Sequence, residues 1–125
     1  MQRRVGFLNI LLSAENRKHL TEALNNAGDT HTVEDVLEMV EGNDASLHIR
    51  KHSTVVTQEF SFPQAKQLHF WLAGGDLQEL IKTEKEIVKE AKKRGVTKVT
   101  IIGRPGWERK LPGFENAGVI LSKEI

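Results

Sequence analysis

The spacing of apolar residues changes along the chain, and each change marks an element. From 68 to 73, LHFWLA, both alternating faces are apolar or nearly so: Leu68, Phe70 and Leu72 on one, Trp71 and Ala73 on the other. That is the pattern of a strand inside a sheet covered on both sides. Gly74-Gly75 ends it. Leu77, Leu80, Ile81, Ile87, Val88 and Ala91 then recur at helical spacing. Asp76 stands at the N-cap with Glu79 three residues on, a capping-box pattern. Lys89, Lys92, Lys93 and Arg94 crowd the last turns, where the helix dipole favours cations, and Gly95 suits the position after the helix. Apolar strand character returns over 96–102. The stretch 68–107 therefore reads as a strand–helix–strand unit with glycine turns. Its crossover is long enough for parallel strands.

The flanking pattern is more mixed. Residues 5–12 read as a short strand. Ser13 caps a helix over 13–26, with Leu20, Ala23, Leu24 and Ala27 on one side and a stop at 25–29. Thr32 opens a second helix with Asp35 at the capping-box position and Val33, Val36, Leu37 and Val40 as its buried stripe. Two tightly joined strands follow, over 46–52 and 54–62. In the second, Val56, Phe60 and Phe62 are expected inside and Thr57, Glu59 and Ser61 outside, with Gln58 an imperfection among the inward set. Pro63 to Lys66 form a turn. After the 103–106 break come a short helix over 107–111 and a last strand over 114–125 carrying Val119, Ile120 and Leu121. The predicted order is β-α-α-β-β-β-α-β-α-β. That is an α+β (α/β) domain spanning 1–125, with helices flanking a mixed, mostly antiparallel sheet. Its one parallel pair is 68–73 with 97–102.

Composition narrows the chemistry. Lys plus Arg number 18 and Asp plus Glu 17, a net charge of +1, which lacks the basic footprint of a nucleic-acid binder. With no cysteine, disulfides, thiolate catalysis and cysteine zinc sites are excluded. The apolar run Ile10-Leu11-Leu12 is too short for a membrane span, so no membrane partner is expected; no metal is expected either. Gly74-Gly75 marks a turn before it suggests a phosphate cradle. Glu84 falls near the centre of the helix stripe; it is either an acid of raised pKa or, as preferred, a residue at the stripe edge reaching solvent or an arginine. His69 suits a packed, hydrogen-bonded histidine better than a general base. His48 and His52 lack carboxylate company in the sequence and are discarded as metal ligands. Arg104 and Trp107 follow a strand end, where ligands of open parallel sheets bind. Trp107 also suits a role as the short helix's anchor.

The element order resembles the GNAT family of N-acetyltransferases. The runs VVTQEFSFPQAKQLHFWLAGGDLQEL and KRGVTKVTIIGRPGWERKL, with GF after them, resemble the GNAT-like proteins of tailed bacteriophages, including internal virion proteins. The resemblance implies a fold in which acetyl-CoA lies where the parallel strands part, with its pyrophosphate on the turn and helix N-terminus. The implied cofactor-binding residues are Leu72, Ala73, Gly74, Gly75, Asp76, Leu77, Arg104 and Trp107. The family's Arg/Gln-x-x-Gly-x-Gly/Ala fingerprint is incomplete here, and Asp76 puts a carboxylate where the pyrophosphate would rest. The family's tyrosine proton donor is missing, since the chain has no tyrosine. The expectation is a catalytically silent phage protein, in the virion or host cytoplasm, acting through other virion proteins, with acetyl-CoA bound weakly or not at all. The alternative is an acetyl-CoA-dependent N-acetyltransferase of unknown acceptor and unassigned catalytic residues.

Overall fold

The computed structural model describes residues 5–103 and 107–125. Among them the elements run α1 (Val5–Leu11), α2 (Ala14–Asn26), α3 (Val33–Glu41), β1 (Ser46–Ile49), β2 (Ser53–Phe62), β3 (Ala65–Gly75), α4 (Leu77–Lys93), β4 (Lys98–Ile101) and α5 (Trp107–Lys110). The strands form a four-stranded mixed sheet in the order β1-β2-β3-β4. The fold is α+β. β1 and β2, and β2 and β3, pair antiparallel. β3 and β4 pair parallel, from Gln67↔Lys98 to Phe70↔Ile101. The parallel pair is the expected one, confined to four residues of each strand.

Both ends of the expected order are corrected. Residues 5–11 are helix rather than strand. The segment 114–125 forms no strand, and Val119, Ile120 and Leu121 are exposed. A strand exists only when it pairs, and nothing local in an apolar run says whether it does.

The helix caps formed as read. Ser13 accepts from Asn16 N, and Thr32 and Asp35 make a reciprocal capping box. At α4, Asp76 accepts from Glu79 N at 2.9 Å, but the Glu79 carboxylate does not return to Asp76. The Asp76 N–H is already bonded to His52 O at 3.0 Å. Glu79 instead accepts from His52 N at 2.9 Å and from the buried Ser53 hydroxyl.

The sheet is covered on both faces, unevenly. On one face Leu20, Leu24, Val36, Leu37, Val56 and Leu72 bury together beneath α2 and α3. On the other, Val55, Leu68, Phe70, Ile87, Ala91 and Val96 bury beneath α4. A bulge divides the faces within β3: Thr57 pairs with Phe70 and Val56 with Leu72, so Trp71 is the extra residue. The inserted residue sends Leu68 and Phe70 to the α4 side and Leu72 to the α2–α3 side. This breaks the single alternation expected over 68–73. Trp71, expected deep in the sheet, is half-buried and meets His31 edge to face at 4.8 Å. The pattern expected in β2 is also corrected. Val55, Val56 and Thr57 are all buried, whereas Phe60 and Phe62 are exposed. Burial in β2 thus ends after Thr57, and its second half is open to water.

Candidate functional site

The natural opening in the fold is where β3 outruns β4. Their pairing stops at Phe70↔Ile101, and β3 continues to Gly75 without β4 beside it. The gap is filled from above by α4 and α5. A small apolar pocket remains, lined by Ala73, Leu77, Leu80, Glu84, Ile101 and Trp107, together with Leu111 and Phe114. Its free volume is about 20 Å³, room for a water rather than a cofactor. The expected site residues divide here. Ala73, Leu77 and Trp107 converge on the pocket. Leu72 faces the opposite layer, among the side chains under α2 and α3. Trp107 lies against Gly103, where a Cβ would stand 3.2 Å from the indole, so the glycine permits that approach. Arg104 lies outside the described residues.

The Gly74-Gly75-Asp76 turn is closed by the protein's own backbone. A Cβ on Gly74 would lie 2.7 Å from His19 O in α2. A Cβ on Gly75 would lie 2.2 Å from His52 O, and Gly75 has φ +123°. Two glycines are therefore needed for β3 to end between α2 and the start of β2. Asp76 caps α4 with its carboxylate at the helix's positive end, as any N-cap does.

Around this turn lies a polar network that local patterns did not reveal. Glu79 bonds Ser53 and His52 N, and its carboxyl is held below the usual range first by the Ser53 hydroxyl. His52 faces Glu15 at 3.2 Å, and Arg50 faces Glu86 at 3.2 Å. Buried Asn16 donates to Arg50 O at 2.9 Å. The partners lie 26 to 37 residues apart in sequence, so no local spacing could have signalled them.

The remaining titratable candidates lie in or beside the sheet. Glu84 is half-buried beside the pocket, and desolvation raises its pKa; it makes neither a hydrogen bond nor an ion pair among the described residues. The raised pKa is the first of its two readings, and the arginine partner of the second is missing among those residues. His69 bonds the Thr100 hydroxyl at 2.9 Å, and burial lowers its pKa. His48 bonds the Thr57 hydroxyl at 3.0 Å and is pushed down to about 4, chiefly by burial and then by Arg50 and Arg94. No group of three or more His, Cys, Asp or Glu placed to hold a metal is found among the described residues. No described helix is long and apolar enough to cross a membrane.

No protein-family model matches the chain, and no curated protein matches it. Two solved structures do. They are the wild type and a single-substitution mutant of TTHA1254 from Thermus thermophilus, with TM-scores of 0.59 and 0.60. Each is 17% identical and covers 91% of this chain and 93% of that one. At that identity the likeness concerns the fold alone.

Proposed function

We propose that this chain is a GNAT-like protein without acetyl transfer, acting as an interaction or structural component like the GNAT-like proteins of tailed phages. In that reading its partners are virion proteins, and it works in the virion or the host cytoplasm. One observation carries the silent reading: the turn that would cradle a pyrophosphate is packed against His19 and His52 backbone. A phosphate needs free N–H donors at such a turn. Here the Asp76 N–H is already bonded to His52 O, and the Asp76 carboxylate occupies the helix terminus. The phage attribution rests on the sequence resemblance.

The second reading is an acetyl-CoA-dependent N-acetyltransferase. Glu84 favours it, because a desolvated carboxyl of raised pKa beside the parting strands is suited to accept a proton from an amine. Thermal melts with and without acetyl-CoA decide between the two. A ligand that binds only the native state at a thousandfold excess over its Kd adds about 4 kcal/mol. The expected result is an unchanged melting temperature at millimolar acetyl-CoA. A rise of several degrees overturns the silent reading and directs attention to Glu84.

A further inference from the structure

β4 ends the sheet with one edge open. Among the described residues the strand order stops at it, and Lys98–Ile101 pair only with β3. An open edge presents unpaired N–H and C=O groups and accepts another strand readily. The same molecule carries a segment with strand composition and nothing to pair with. Residues 117–122, AGVILS, have no secondary structure, and Val119, Ile120 and Leu121 are 79%, 67% and 90% exposed. Three adjacent large apolar side chains in water call for a cover.

The segment starts from a fixed point. Leu111 is buried, and Phe114 lines the pocket beside Ile101, at the end of β4. Every residue from 115 to 125 is exposed, so past that anchor the chain leaves its own sheet. We propose that residues 117–122 of one copy add antiparallel to β4 of a second copy, which returns its own segment in exchange. A two-fold exchange closes both open edges with one operation. The side-chain pattern suits it. Val99 and Ile101 face α4, and Thr100 and Ile102 face the open side of the sheet. With Ile120 opposite Thr100, Val119 and Leu121 continue the apolar layer beneath α4. Ile120 then falls beside exposed Ile102 on the uncovered face.

The absence of cysteine makes the test clean. Thr100→Cys and Ile120→Cys are introduced together in the full chain and oxidised, and the wild-type mass is measured by light scattering. The expected results are a dimer mass and a disulfide joining two chains on a non-reducing gel. A disulfide within one chain overturns the proposal, because the segment then closes its own sheet. A monomer mass at tens of micromolar protein overturns it as well. If the mass is dimeric but no disulfide forms, Val119→Lys with Leu121→Lys decides. Conversion to monomer with an unchanged circular dichroism spectrum supports the exchange, and a persisting dimer refutes it.

Discussion

The two parallel strands meet opposite fates. β3 has 11 residues, hydrogen-bonded neighbours on both sides and helices over both faces. β4 has four residues, one neighbour and no fully buried side chain. Their ends differ in kind. β3 finishes in a turn so tight that Gly74 and Gly75 touch the backbone of α2 and β2. β4 finishes beside an indole, a small pocket and an unpaired segment. The turn with the glycine pair, one of the two stretches the resemblance marks as a site, is thus the closely packed one. Room for a partner lies on the β4 side.

The sharpest way to break this contrast is Gly75→Ala. The new methyl would stand 2.2 Å from His52 O at a φ of +123°. Backbone cannot retreat cheaply on either side, so the expected loss is about 4 kcal/mol or more. Denaturant melts check it. A loss under about 1 kcal/mol would mean the turn has slack, and with it room for a ligand.

A smaller effect separates two histidine–threonine pairs, His48–Thr57 on the β1 side and His69–Thr100 on the β4 side. The folded pKa of His48 is about 4, below the ordinary 6.5. The unfolded chain therefore binds the proton first, and stability falls as pH drops from about 6.5 to about 4. At about 1.4 kcal/mol per pH unit, with the ring partly open to water, the loss is about 2 kcal/mol. His69 shifts in the same direction. Glu84 acts oppositely in this range, because its raised pKa favours the folded state as it protonates. Glu79, Asp35 and Glu34 have depressed pKa values and lose their contribution only at lower pH. Urea melts at pH 7 and 4.5 of wild type and His48→Gln isolate the contribution of His48. Equal acid sensitivity in both would remove His48 from the account.

The smallest effect is expected at the end of β4. Ile102 is 64% exposed in the single chain, so Ile102→Ser, melted at a dilution where the chain is monomeric, should change stability by no more than about 0.5 kcal/mol. A loss above about 1 kcal/mol in a urea melt would show that this face is covered in solution.

What depends on near neighbours was legible in the residues alone. The caps at Ser13, Thr32 and Asp76, the stripes of α2, α3 and α4, and the strand–helix–strand unit all follow from residues within a few positions of one another. Contacts between distant segments settled the rest. Trp71 carries no mark of a bulge, because a bulge is a relation between β3 and β2. Phe60 and Phe62 have the spacing of inward residues, yet both are exposed. Glu79 has capping-box spacing, and Ser53, 26 residues away, takes its carboxylate instead. Gly74 and Gly75 read equally as a turn or a phosphate cradle until α2 and β2 close on them. Spacing assigns a side chain to a face only while the element runs uninterrupted. Only the packed chain determines whether that face meets protein, ligand or water.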